Sequence, residues 1–108
     1  MSCKLPNYLR MHRKRSGLSQ DETALLLGYP NGQQVSRYEG FARQPPLKTM
    51  LAYEALFGVP VRELLGGVYE QQVTAIQNRA RQLKEKLEQE EPNRRIARKL
   101  ELLRSITS

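Results

Sequence analysis

Two side chains that can recognise another molecule through paired hydrogen bonds, Gln33 and Arg37, stand four residues apart, one turn of a helix. A glutamine amide can hold adenine by donating and accepting at once, and a guanidinium can donate two hydrogen bonds to guanine. The chain carries 18 Lys and Arg residues against 11 Asp and Glu residues, a net charge of +7. This balance favours a polyanionic partner or an anionic membrane surface.

The residues around this pair predict two short helices joined by a tight turn. Ser19 stands three residues before Glu22, the spacing of a capping box, in which hydroxyl and carboxylate satisfy free amides at a helix start. Asn31 stands three residues before Gln34 and predicts a second start with the same reciprocal bonds. Between the two starts, Gly28 supplies the permissive backbone that ends the first helix. Two such helices are expected to meet at a steep angle.

The following residues form an ordered set between positions 9 and 65: Arg13, Gly17, Leu18, Ser19, Gln20, Leu27, Gly28, Val35, Ser36, Arg37, Tyr38, Glu39, Pro45, Leu47, Leu51, Gly58, Val59, Leu64 and Leu65. In their types and in nearly all of their spacing, these residues resemble the pattern of the phage-repressor-like (XRE-type) helix-turn-helix family of DNA-binding proteins. The chain departs from the family pattern in one additional residue between Gly28 and Val35, and in Pro46 and Pro60, which replace capping residues before the fourth and fifth helices. Proline suits a helix start because its missing amide would be unpaired there.

The resemblance implies a role for each matching residue. The second helix of the pair, called the recognition helix below, would lie in the major groove of double-stranded DNA, with Val35 and Tyr38 turned toward the core. Arg13 and Glu39 match positions that form a partly buried, structural ion pair. The implied base contacts are Gly32, Gln33, Gln34, Ser36 and Arg37, and the implied phosphate contacts are Gln20, Arg43, Gln44 and Lys48.

The composition argues against an enzyme. His12 is the only histidine and Cys3 the only cysteine, too few for a typical zinc ligand set. We expect His12 to pack in the core, which leaves no histidine free for a Ser/His/Asp arrangement, and we expect neither metal nor cofactor. A single cysteine is consistent with a reducing cytoplasm. No apolar run approaches the roughly 20 residues of a membrane span, and the first five residues lack the apolar stretch of a signal peptide. We therefore expect a cytoplasmic protein with no membrane partner.

The predicted fold is all-α, with a five-helix, lambda-repressor-like helix-turn-helix domain over residues 1 to 67. Its first helix should span residues 6 to 15, its fourth should begin near Leu47, and its fifth should span residues 61 to 65. Gly66 and Gly67 should then break the pattern and form a hinge. Leu25 and Leu26 occupy second-helix positions that the family commonly fills with charged residues. The residues expected to face inward are Leu5, Leu9 and His12 in the first helix and Leu47, Met50, Leu51 and some of Tyr53, Leu56 and Phe57 in the fourth.

Residues 68 to 108 are expected to form helices for dimerisation or another interaction. Pro92 ends the first helix, and a second helix follows it, so either a helical hairpin or a continuous coiled coil is possible. One helix cannot bury such a seam alone, and a homodimer is the natural solution. The dimerisation residues recur at spacings of 4, 3, 4, 3 and 4 in the first helix, and the full set is Tyr69, Val73, Ile76, Ala80, Leu83 and Leu87, followed by Ile96, Leu100 and Leu103.

Together these features favour a sequence-specific transcriptional regulator, in particular a repressor, that binds a palindromic operator as a homodimer. One alternative keeps the fold but makes the protein an antitoxin, or a regulator controlled by an antirepressor, whose C-terminal helices bind a partner protein. A second alternative is a nonspecific nucleic-acid binder, for which the positive charge alone would suffice.

Overall fold

The protein is described by a computed structural model that covers residues 5–108. Within that range the chain is all-α, as predicted, and Cys3 lies outside it. No helix in residues 5–108 is long and apolar enough to cross a membrane. The chain divides into two compact units, Met1–Tyr69 and Glu70–Ser108. The helices are α1 Leu9–Arg15, α2 Gln20–Leu27, α3 Gln33–Glu39, α4 Leu47–Phe57, α5 Val61–Leu64, α6 Gly66–Glu88 and α7 Arg94–Thr107.

The core of the first unit gathers apolar residues from four helices and the residue after α5. Its buried members are Leu9, Tyr38, Tyr53, Leu64 and Leu65. In this unit α2 contacts α3 and α4, α1 contacts α3, and α4 contacts α5. The two short helices α2 and α3 are therefore supported from behind by α1 and α4.

The first helix begins at Leu9, three residues later than predicted, and Leu5 does not face inward. The preceding segment pairs with distant backbone instead: the Tyr8 amide donates to the Leu64 carbonyl (2.7 Å), and the Leu5 carbonyl accepts from Gly67 (2.9 Å). Leu5 is consequently half exposed. Leu9 is buried and His12 is half-buried, with the His12 ring centroid 6.1 Å from that of Phe57.

The fourth helix starts at Leu47 as predicted, but the prediction of its buried face was wrong in part. Leu47 and Leu51 are 67% and 53% exposed, whereas Met50 is half-buried. Thr49 and Tyr53 occupy the buried face, and Tyr53 is 1% exposed. Residues two apart in a helix point about 200° away from each other, so burying Tyr53 turns Leu51 toward solvent.

The glycine pair Gly66 and Gly67 is not a break in the helical pattern. Both residues are buried and begin α6, and the backbone leaves helical geometry one residue earlier, at Leu65 (φ −113°, ψ 44°). Because Gly67 donates to a carbonyl in the N-terminal segment, this start is held in place rather than free to swing. The division between the compact units falls within α6, between Tyr69 and Glu70.

In the second unit, α6 and α7 pack against each other. Ala80 and Leu87 of α6 form a buried cluster with Ile96 and Leu103 of α7. Asn93 caps α7, since its Oδ1 accepts from the Ile96 amide at 2.9 Å. Leu100 and Ile106 extend the cluster from the α7 side. This arrangement is a helical hairpin within one chain.

The hairpin uses only part of the predicted dimerisation seam. Val73 is half-buried, and Tyr69, Ile76 and Leu83 are 49%, 47% and 45% exposed. These three exposed residues recur every seven positions along α6. One set of heptad positions, Ala80 and Leu87, is thus buried against α7. The other set, Tyr69, Ile76 and Leu83, remains exposed and is called the exposed α6 stripe below.

Candidate nucleic-acid interface

The start of α2 is organised by the capping box that the sequence predicts. Ser19 Oγ accepts from the Glu22 amide at 3.0 Å, and Glu22 Oε1 accepts from the Ser19 amide at 2.9 Å. The hydrogen bond that the Ser19 amide donates to the carboxylate favours its ionised form and is the main cause that lowers the pKa of Glu22 below its ordinary value. The helix ends at Gly28, which adopts a left-handed conformation (φ 90°). Both ends of α2 are thus determined by local chemistry.

The start of α3 is built differently from the prediction. Asn31 Oδ1 accepts from the Gln33 amide (3.0 Å), not from Gln34, and the helix is preceded directly by Gly32. The Gln34 side chain does not return the bond: its Oε1 is buried and has no hydrogen-bond partner in the described residues. The predicted capping box at Asn31 and Gln34 was therefore wrong. A capping box would need Asn31 directly before the helix, but α3 begins one residue later, after Gly32.

Gly32 is buried against α2, so it does not face outward as a base contact would. Its amide donates to Asp21 Oδ1 at 2.8 Å. A Cβ placed on Gly32 would lie 2.9 Å from the same oxygen and 3.0 Å from Gln20 Cβ. Gly32 thus permits the close approach of the two helices and is not positioned to contact a base.

The recognition helix α3 has one buried and one exposed face. Val35 and Tyr38 are buried, as predicted. Gln33, Ser36 and Arg37 are exposed. Since residues three and four apart share a face, Gln33, Ser36 and Arg37 form a continuous polar row on the outer surface.

A buried ion pair joins α1 to the end of α3. Arg13 donates to both carboxylate oxygens of Glu39, at 2.6 Å from Nε and 3.1 Å from Nη2. The same guanidinium donates to the Leu18 carbonyl (2.9 Å), and the Gln20 amide group donates to Glu39 at 3.2 Å. The hydrogen bond to Glu39 raises the pKa of Arg13. Three helices therefore meet at one carboxylate.

Gln20, a predicted phosphate contact, is consequently engaged inside the protein. Its Nε2 donates to Glu39, and the residue is half-buried at the start of α2. The N-terminal ends of α2 and α3 border an open polar cleft of about 780 Å³. Gln20 lines it together with Asp21, Asn31, Gln33 and Ser36. Gln20 thus lies on the same surface as the exposed row of α3, but with its amino group already used.

Tyrosine hydroxyls hold the recognition helix from behind. The Tyr29 hydroxyl is hydrogen-bonded to the Tyr38 hydroxyl (2.9 Å) and to Thr49 Oγ1 (2.7 Å), and Asn7 Nδ2 donates to the Tyr38 carbonyl (2.8 Å). Burial, with the Tyr29 hydrogen bond as a second cause, raises the pKa of Tyr38 to about 12. Burial also raises the pKa of Tyr53. The Tyr38 phenol therefore stays neutral and hydrogen-bonded across the physiological pH range, whereas the buried Tyr53 hydroxyl has no hydrogen-bond partner in the described residues.

The loop after α3 contains the other predicted phosphate contacts. Arg43 and Gln44 are exposed in that loop, and Lys48 is exposed in the first turn of α4. Phe41 has a left-handed φ of 65° and closes the helix: its amide donates to Tyr38, and the next amide donates to the Arg37 carbonyl. Its side chain is 48% exposed.

Two residues beside the row were not predicted as part of this surface. Arg10 of α1 is exposed and lines a cleft of about 190 Å³ with Gln20, Ser36 and Gly40. The sequence could have indicated Arg10, because it stands three residues before Arg13 and therefore on the same side of the first helix. Phe41 had no such signal, because its exposure follows from how the loop leaves α3. The surface thus combines a polar row with basic groups around it, which suits hydrogen bonding to base edges and phosphates.

Comparison of the chain with models of known protein families, with curated proteins and with solved structures found no match.

Proposed function

We propose that the protein is a sequence-specific DNA-binding transcriptional regulator of the XRE helix-turn-helix type, in particular a repressor. The observation that carries this proposal is the exposed row of Gln33, Ser36 and Arg37 on a helix whose opposite face is buried and hydrogen-bonded. A helix held in this way keeps its outer side chains at fixed positions relative to the rest of the unit. Preorganisation of this kind reduces the entropy lost on binding.

In the proposed mechanism α3 enters the major groove and Arg37 and Gln33 read base edges. Arg43, Gln44 and Lys48 contact phosphates on the flanking backbone, and Arg10 joins them from α1. Gln20 contributes to the same surface through the atoms that its bond to Glu39 leaves available. Bound in this way, the protein would block or contact the transcription machinery at the operator.

The regulator is proposed to act as a homodimer through the exposed α6 stripe of Tyr69, Ile76 and Leu83. Their seven-residue spacing matches that of a helix packing against a second helix. A dimer would present two recognition helices to half-sites about 34 Å apart, which calls for a palindromic operator. Of the other predicted seam residues, Val73 is half-buried, and five belong to the hairpin cluster: Ala80, Leu87, Ile96 and Leu103 are buried there, with Leu100 beside them.

A specific observation supports a second candidate function, control by a partner protein. Leu25 and Leu26 are 75% and 59% exposed as neighbours on α2. Adjacent exposed leucines suit a contact with another protein. An antitoxin or an antirepressor-controlled regulator would use such a contact in addition to DNA.

Selection of bound duplexes from a random pool tests the proposed function. We expect a consensus with two inverted half-sites and an affinity on the order of 10³-fold or more above that for random duplexes at the same salt concentration. Equal affinity for selected and random duplexes would leave only nonspecific binding and would overturn the proposal.

A further inference from the structure

The positive charge of the second unit is concentrated on α7. This helix carries five basic side chains and one carboxylate, that of Glu101, which give it a net charge of +4. The rest of residues 70–108 carries four basic and five acidic side chains, which give a net charge of −1. The five basic residues of α7 are all exposed: Arg94, Arg95, Arg98, Lys99 and Arg104.

Within residues 5–108 these cations have no ion-pair partner. In residues 5–108 the ion pair found is that of Arg13 with Glu39, and none of the five basic groups of α7 lies within ion-pairing distance of a carboxylate. Arg94 and Arg95 stand in the first turn of α7, which contains no acidic residue. The helix dipole disfavours positive charge at that end, so these two arginines do not serve the stability of the helix.

Four of the cations are close together. Arg94 with Arg98 and Arg95 with Lys99 are pairs four residues apart, so each pair lies along one side of the helix. At helical rise the four span about 7.5 Å of helix length. Such a compact, arginine-rich patch suits phosphate, because guanidinium groups can donate two parallel hydrogen bonds to it.

The packing of α7 decides which polyanion fits. A helix that binds an anionic membrane inserts an apolar face beside its cations. In α7 that face is already used, since Ile96 and Leu103 are buried against Ala80 and Leu87. A patch of cations without a free apolar face fits the phosphate backbone of nucleic acid better than a lipid surface.

We propose that the N-terminal half of α7 is a second, sequence-independent phosphate-binding surface for duplex DNA. This proposal deepens the proposed function and rests on it, since the partner is the same duplex. Bound DNA would release counterions from the phosphates that Arg94, Arg95, Arg98 and Lys99 contact, so the surface adds affinity without adding sequence preference.

The test compares two full-length variants of equal net charge. One replaces Arg94, Arg95, Arg98 and Lys99 with glutamine; the matched control replaces Arg79, Arg81, Lys84 and Lys86 of α6 with glutamine. Glutamine retains helix propensity, and circular dichroism with thermal melting checks that both variants fold. Affinity for a random duplex is measured at several salt concentrations.

We expect the α7 variant to reduce the slope of log affinity against log salt by about two to four units, since each phosphate contact contributes about 0.9. The α6 control should change it by less than about one unit. An unchanged slope in the α7 variant, or equal reductions in both, overturns the proposal.

A parallel assay uses vesicles of equal parts zwitterionic and anionic phospholipid. Loss of vesicle binding in the α7 variant with an unchanged DNA slope would assign the patch to membranes and overturn the proposal. Because these slopes are measured on random DNA, their outcome is distinguishable from failure of sequence-specific recognition, which the selection experiment reports.

Discussion

At the scale of single residues, Arg37 should separate base recognition from general attraction to DNA. Arg37→Ala is expected to weaken binding to the selected operator by roughly 1 to 3 kcal/mol and to leave random duplexes nearly unchanged, because a base contact is lost. The control Lys48→Ala should weaken all duplexes alike and lower the salt slope by about one unit. Titrations of both duplexes measure these effects. Equal losses on both for Arg37→Ala would remove that residue from base readout.

A second prediction for a single residue concerns Glu39 and the stability of the fold. Glu39→Ala would leave the buried Arg13 guanidinium without its counter-charge, and the free energy of unfolding should fall by about 3 to 5 kcal/mol. The control Glu63→Ala removes an exposed carboxylate and should change stability by less than about 0.5 kcal/mol. Urea denaturation measures both. Similar small effects in the two variants would contradict a structural role for the ion pair.

At the scale of elements, the contact between α2 and α3 depends on the absence of a side chain at Gly32. Gly32→Ala places a Cβ 2.9 Å from Asp21 Oδ1 and 3.1 Å from the Gln20 backbone carbon, so the Asp21 carboxylate must turn away and the start of α2 must shift by a few tenths of an ångström. We expect a loss of about 1 to 3 kcal/mol of stability. The neighbouring exposed variant Gln33→Ala should cost less than about 0.5 kcal/mol. Thermal denaturation distinguishes them, and an equally stable Gly32→Ala protein would contradict the close packing.

At the scale of the whole molecule, assembly should depend on the exposed α6 stripe. Ile76→Asp combined with Leu83→Asp is expected to give a monomer, because unpaired charges would be buried in the interface. Leu102→Asp introduces a charge at a leucine that is 61% exposed but lies outside the stripe, and it should leave the dimer intact. Sedimentation at tens of micromolar measures the oligomeric state. A monomeric wild type would overturn the proposed dimer, and a dimer that survives the double substitution would move the interface to Leu25 and Leu26.

Loss of the dimer should also reduce operator affinity, since two linked half-sites bind with a high effective concentration. Random duplexes should respond less, because they offer no second half-site at the required spacing. Comparison of both duplexes for the stripe variant therefore links assembly to recognition.

The sequence by itself determined those features that depend on residues close together in the chain. The capping box of Ser19 and Glu22 was predictable because both of its bonds join residues three apart. The start of α4 and the apolar face of α6 were predictable because each depends on residues close together in the sequence. Val35 and Tyr38 turn inward and Gln33, Ser36 and Arg37 outward in the helical register that the sequence predicts.

Only the tertiary structure decided which of several equivalent faces became buried. The hydrogen bond between Tyr29 and Thr49 and the burial of Tyr53 turn Leu47 and Leu51 of α4 outward, a choice that apolar spacing within α4 does not contain. Likewise, α7 covers one line of the α6 heptads and leaves the other exposed. The spacing of apolar residues determines that a helix forms and that it has an apolar face. Which face becomes buried depends on residues far away in the sequence, because burial results from packing between distant residues.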